Sequence, residues 1–243
     1  MISFRTQGEE TVTFYKGEQD KHQFENKSEW VNESVNLNLG NIDSRIDIPV
    51  WVERYKFESN IIFDILSNKK YDKILELGSG PGLMGQMVME KNPFINYTFI
   101  DQQGAKDIFI KRNYKGRFLV IDLMNSFDTK ELDKEYDFII ANDFLEHIYN
   151  PSIVIQESYK LLKSDGMMFV SVPNWRMGHT FIYKGLFDYD NFVYFMYTHG
   201  FKISGLFESP LKCAYSPKET SESEMDDQLI TSWNWYILFD KRN

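Results

Sequence analysis

Three glycines alternate with single residues directly after a short apolar run, in Ile74-Leu75-Glu76-Leu77-Gly78-Ser79-Gly80-Pro81-Gly82. Glycine is needed where backbone turns sharply and approaches another group with no Cβ in the way. The apolar run Ile74–Leu77 reads as a buried strand and Leu83–Glu90 as the helix that follows. A strand, a glycine turn and a helix form the opening unit of an open α/β sheet. Ligands of such sheets bind at the carboxyl ends of the strands.

The pattern then repeats. Tyr97–Ile100 is a strand ending in Asp101, Ala105–Arg112 a helix, Phe118–Ile121 a strand ending in Asp122, and Tyr136–Ala141 a strand ending in Asn142 and Asp143. Pro151–Lys163 is a helix with Asn150 as its cap, Pro151 in its first turn and Gly166 beyond its end. Met167–Val172 is a fifth strand, and Asp190–His199 a helix closed by Gly200. Phe201–Phe207 and Leu229–Phe239 follow with no helical pattern between them, so they pair antiparallel. The expected fold is a Rossmann-like seven-stranded mixed sheet with helices on both faces and a terminal antiparallel hairpin. Pro49 starts a further helix, with Val52, Tyr55, Ile62, Phe63 and Leu66 on its apolar stripe. Two units follow: an N-terminal extension over 1–48, a lid or dimer contact with short strands at Ile2–Phe4 and Thr11–Tyr15, and one domain over 49–243.

The glycine loop admits rival readings. Gly80-Pro81-Gly82-Leu83-Met84-Gly85 matches the G-x-G-x-x-G dinucleotide pattern, which alone is weakly specific. Against it, Glu76 sets a carboxylate at the entrance of the loop, where a pyrophosphate would be repelled, and Leu83–Glu90 adds no positive charge. A ligand carrying an ammonium and a sulfonium would instead be attracted. A structural turn with no ligand is the third reading. No G-x-x-x-x-G-K-[ST] sequence occurs.

Taken together, Ile74–Gly82 resembles motif I of the class I S-adenosylmethionine-dependent methyltransferases, and the resemblance extends to about Phe207. Tyr136–Ile148, ending in Leu145-Glu146-His147, and Ser171-Val172-Pro173-Asn174 resemble the small-molecule branch of that family. The resemblance implies S-adenosylmethionine as cofactor. It implies that Glu76, Gly78, Ser79, Gly80 and Gly82 surround the methionine end and that Asp101 takes the ribose hydroxyls. Asp122 and Leu123 then contact adenine, with Gln102 beside it, and Asn142 and Asp143 close the crevice. Asp101 lies about twenty residues beyond the loop, the spacing of a ribose acid, although an acid at a strand end also serves as a turn cap. Asp143-Phe144-Leu145-Glu146 has the spacing of a capping box, which assigns Glu146 to capping.

Methyl transfer needs orientation and a place for the acceptor's proton. His147 is the first candidate base and His179 the second; neither has metal-ligand spacing, so no metal is expected. The stretch Trp175–Tyr197 is rich in aromatics, of which Trp175, Phe181 and Tyr183 are assigned to the acceptor, while Phe192, Phe195 and His199 share a helix face and belong to the core. The resemblance implies a small-molecule acceptor, with O-methylation of a metabolite or glycan precursor as the leading expectation. A catalytically inactive binding subunit and an NAD(P)-dependent oxidoreductase are the alternatives.

Charge bounds the partners. The net charge of −9 lacks the clustered Lys and Arg that phosphate neutralisation requires, so no nucleic acid is expected. No apolar run approaches the ~20 residues of a membrane helix. Met1–Glu10 does not read as a secretory leader, and Cys213 is the single cysteine, so a cytoplasmic monomer or homodimer is expected.

Overall fold

A computed structural model describes residues 2–5, 11–14, 49–124, 127–173, 184–207 and 234–242. His179, Trp175, Phe181 and Tyr183 lie outside these residues, as do Asn174, Cys213 and most of the N-terminal extension. The described residues form two sheets. Strands β1 (Ile2–Arg5) and β2 (Thr11–Phe14) pair antiparallel as a small hairpin.

The main sheet has seven strands: β3 (Lys73–Leu77), β4 (Asn96–Asp101), β5 (Arg117–Val120), β6 (Tyr136–Asn142), β7 (Leu162–Pro173), β8 (Phe201–Phe207) and β9 (Asn234–Lys241). Their order is β5-β4-β3-β6-β7-β9-β8. The first five are parallel, and β9 runs antiparallel between β7 and β8. The chain winds outward from β3 through β4 to β5, then returns to β6 on the other side of β3. The crevice at the carboxyl ends of β3 and β6 is therefore the topological switch point, where this architecture binds ligands.

Helices cover both faces. On one face lie α1 (Pro49–Lys69), α2 (Leu83–Lys91) and α3 (Gln103–Lys111), which pack Ile62, Leu66, Met84, Val88 and Phe109 onto Ile74, Phe99, Phe138 and Ile140. On the other, α4 (Pro151–Leu161) and α5 (Tyr189–Thr198) pack Val154, Ile155, Phe192 and Met196 onto Leu75, Ile139, Val170 and Ile237. The period-2 alternation of strands thus divides one run of apolar residues between two cores.

Several local expectations change. The helix that was to run to Lys163 ends at Leu161, because Leu162 turns extended and pairs with Tyr136, lengthening β7 to twelve residues. The last strand runs on to Lys241, and its expected start at Leu229 lies outside the described residues. Asn150 does cap α4 by accepting from Ile153 N at 3.4 Å. His199 is held structurally: Nδ1 meets Phe195 O at 2.7 Å and Nε2 meets Ser152 Oγ at 3.1 Å. No described helix is long and apolar enough to cross a membrane.

Candidate active site

The glycine loop is stitched to the neighbouring strand. Ser79 N donates to Ile100 O at 3.0 Å, and Gly82 N closes a turn onto Ser79 O at 3.0 Å. All three glycines have left-handed φ, at +63° for Gly78, +54° for Gly80 and +87° for Gly82. They are needed for different reasons. A Cβ on Gly78 would lie 2.1 Å from the ring of Phe144, whereas one on Gly80 would meet nothing within 4 Å. Open space beside a left-handed glycine leaves backbone that a ligand can approach. Gly85, the third glycine of the dinucleotide pattern, has a packing reason: a Cβ there would sit 2.4 Å from Phe99 and 2.8 Å from Glu76 Oε2.

Asp101 ends β4 directly below this space. Its Oδ2 accepts from Gly80 N at 2.7 Å and its Oδ1 from Gln102 N at 2.7 Å. Each oxygen keeps a lone pair, so the carboxylate has two acceptor sites left for a pair of vicinal hydroxyls. Burial pushes Asp101 up, and the two backbone donors oppose that shift. Gln102 stands at the start of α3 with no capping side-chain bond. Asp122 is exposed and its Oδ1 accepts from Met124 N at 2.9 Å, the turn-capping role of a strand-end acid, while Leu123 is buried in the core.

Glu76 is 3% exposed beneath the loop. Burial pushes its carboxyl up to about 8, the Tyr97 hydroxyl pulls it back, and the neighbouring Glu58 and Asp101 charges add to the rise.

A second cluster occupies the ends of β6, β7 and β9. From α1, Arg54 Nε donates to Glu58 Oε1 at 2.7 Å, and the guanidinium also donates to Asp143. Asn142 Nδ2 donates to Glu58 Oε2 at 2.8 Å. Asp143 accepts from Ser171 Oγ at 2.6 Å and from Asn234 Nδ2. Asp143 has φ of +45°, a conformation that aspartate tolerates better than most residues, and its side chain is pinned from three elements at once. The described residues contain no group of three or more His, Cys, Asp or Glu that could hold a metal.

The capping-box assignment of Glu146 does not hold. Leu145–His147 is a short 3-10 turn without a side-chain cap, because the Asp143 carboxylate is already engaged by Arg54, Ser171 and Asn234. Glu146 is fully buried, neither of its oxygens finds a hydrogen-bond donor among the described residues, and burial drives its carboxyl well above the usual range. His147 follows it, with Nε2 3.7 Å from Glu146 Oε1. The Phe144 ring against Gly78 ties this turn to the glycine loop.

Sequence reasoning missed Arg54, Glu58, Tyr97 and Asn234. For the first two the signal was present: Arg54, Glu58, Ile62 and Leu66 are all buried at four-residue spacing, so two charged residues continue an apolar stripe. Tyr97 and Asn234 carry no local signal.

Known proteins point the same way. A family model described as a methyltransferase domain matches residues 51–207. The ubiquinone biosynthesis O-methyltransferase of Histophilus somni (strain 2336) is 29% identical over 140 residues, covering 50% of this chain and 58% of that protein. The chain thus spans little more than half the length of that relative. The CurJ carbon methyltransferase superposes with a TM-score of 0.61 at 14% identity, over 86% of this chain and 61% of that one. The plantazolicin methyltransferase BpumL, solved with a triazolic desmethylPZN analog and SAH, gives 0.57 at 18% identity, over 89% of this chain and 95% of that one. At such identities the structural likeness is one of fold.

Proposed function

Because the chain belongs to the methyltransferase-domain family, we propose that it passes the methyl group of S-adenosylmethionine to a small-molecule acceptor, with an oxygen of a metabolite or glycan precursor as the favoured target. The observation that carries this reading is the pairing of Gly80 and Asp101. A left-handed glycine borders open space, and directly beside it a strand-end carboxylate keeps two lone pairs for the ribose hydroxyls. The donor set suits a nucleoside bearing positive charge, since Glu76 and Asp101 supply acceptors and the loop supplies no cation.

When bound, the cofactor supplies a methyl group already activated by a sulfonium. Asp101 holds the ribose, Gly78, Ser79, Gly80 and Gly82 let the backbone approach, and Glu76 faces the ammonium. Gln102, Asp122 and Leu123 lie along the route to adenine. Asn142 and Asp143 border the crevice on the β6 side, where Glu58 holds Asn142 and Arg54 holds Asp143. His147 accepts the acceptor's proton; Trp175, Phe181, Tyr183 and His179 complete the acceptor side. Orientation within such a crevice contributes ~7–11 kcal/mol of barrier lowering, and a positioned base about 10²–10⁴-fold.

Calorimetric titration with S-adenosylmethionine and, separately, with NADH tests the reading. Saturable binding of the first and none of the second is expected. Binding of NADH alone would favour the oxidoreductase alternative, and cofactor binding without turnover across a broad acceptor panel would favour the inactive subunit.

A further inference from the structure

Beneath the glycine loop lies a buried contact that the methyl-transfer reading leaves unused. Tyr97 is 1% exposed, and its hydroxyl donates to Glu76 Oε2 at 2.9 Å. The two residues come from adjacent parallel strands. In the β3–β4 register Ile74 pairs with Tyr97 and Glu76 with Phe99, so the tyrosine starts two residues below the carboxyl and its ring reaches up the sheet to meet it. That ring stacks on Phe99 with centroids 4.5 Å apart. Gly85 of α2 closes the pocket from above, leaving no room for a Cβ. Among the described residues, Tyr97 provides the only hydrogen bond to the Glu76 carboxyl.

A phenylalanine would fill the same space without burying a hydroxyl that needs a partner. The hydroxyl therefore has a purpose at Glu76. We propose that Tyr97 is a positioning residue for cofactor capture: it fixes one oxygen of Glu76 so that the other is presented to the α-ammonium of S-adenosylmethionine. This inference rests on the methyltransferase reading and names a determinant within it.

The physical logic is a contest between burial and hydrogen bonding. Burial favours the neutral acid, which attracts an ammonium only weakly, and a donor to the carboxylate favours the charged form. The other groups facing Glu76 make the contest harder. Glu58 of α1 and Asp101 of β4 both disfavour a further negative charge. Arg54 lies beyond Glu58, bonded to it at 2.7 Å, and α2 brings the uncharged Gly85 against the carboxyl. Removing the tyrosine hydroxyl leaves burial and two carboxylates unopposed.

Tyr97→Phe in the full chain provides the test, with affinity for S-adenosylmethionine measured by calorimetry from pH 6 to 9 and melting followed in parallel. Losing one hydrogen bond to a charged group should weaken binding about tenfold near pH 7. In wild type, affinity should rise with pH toward about 8; in the variant that rise should move to higher pH, so the gap narrows at the alkaline end. Glu76→Gln should flatten the profile, and Tyr97→Phe added to it should have no pH-dependent effect. Equal affinity at every pH, or a loss that is constant across the range, overturns the role and leaves mere packing. If Tyr97→Phe fails to fold, Tyr97→Met provides the same comparison. A wild type that binds no S-adenosylmethionine overturns the methyltransferase reading itself, an outcome distinct from wild-type binding that Tyr97→Phe leaves unaltered.

Discussion

The two halves of the crevice are built differently. On the β3–β4 side, the loop and the acid that serve it lie within Glu76–Gln102, and their contacts are mostly backbone to side chain: Gly80 N and Gln102 N to Asp101, Ser79 N to Ile100 O. On the β6–β9 side, side chains far apart in sequence meet in a buried polar network. Arg54 and Asp143 are 89 residues apart, Asn142 and Glu58 are 84, and Asn234 and Asp143 are 91. The first arrangement is assembled locally and leaves lone pairs and open space. The second depends on the whole sheet being in register, and its Glu58 and Asp143 carboxylates are satisfied internally. Substitutions in the first half should therefore change ligand binding before stability, and those in the second should do the reverse.

The largest expected effect is Arg54→Met. It would leave the Glu58 and Asp143 carboxylates without their buried cation, and breaking one partner out of a buried ion pair costs ~3–5 kcal/mol. Chemical denaturation should show that loss with no cofactor present. A stability change below about 1 kcal/mol would mean that the network is not a structural tie.

Gly85→Ala comes next and tests the packing beneath the β3–β4 half, the one part of it where stability should respond first. Its Cβ would press on Phe99 and on the Glu76 carboxyl. Overpacking of this kind costs ~1–3 kcal/mol, read as a shifted denaturation midpoint.

Asp101→Ala should show the opposite signature. Affinity for S-adenosylmethionine should fall by ~1–3 kcal/mol through lost hydrogen bonds to a charged group, with melting little altered. A variant that melts early yet binds normally would dissolve the contrast between the halves.

A smaller, graded effect comes from pH. Glu76 in the folded protein holds its proton up to about 8, against an ordinary value of 4.5. The folded state therefore binds more protons than the unfolded state between those values. The stability that this proton contributes is fully present below about 4.5 and is lost as pH rises toward 8, by at most about 1.4 kcal/mol per unit. Burial shifts Glu58, Asp101 and Glu146 in the same direction. The ligand-free protein should thus melt at lower temperature at pH 8 than at pH 5.5, and Glu76→Gln should reduce the difference.

The same contrast explains what the sequence made legible. The strand that runs Phe201–Phe207 and the start of the helix at Leu83 were readable because apolar runs and glycines are local signals. Glu76, Gly80 and Asp101 are legible as a candidate site for the same reason, being close in sequence and joined by a known pattern. Arg54 and Glu58 are harder to recognise because charged residues in a helix most often face solvent, whereas here they extend the buried stripe of Ile62 and Leu66. Asn234 could not be found at all: it reaches Asp143 only because β9 enters the sheet antiparallel, bringing its first residue opposite Pro173 at the carboxyl ends of the parallel strands. Glu146 misled in the other direction, since capping-box spacing says nothing about a partner already taken by distant residues.

The most direct measurement is a crystal structure with S-adenosylhomocysteine bound. The ribose hydroxyls should lie within hydrogen-bonding distance of both Asp101 oxygens, with the amino-acid end running over Gly80 toward Glu76. An adenosyl group lodged elsewhere, or a crevice that stays closed at saturating ligand, would contradict the assignment of the β3–β4 tips as the cofactor site.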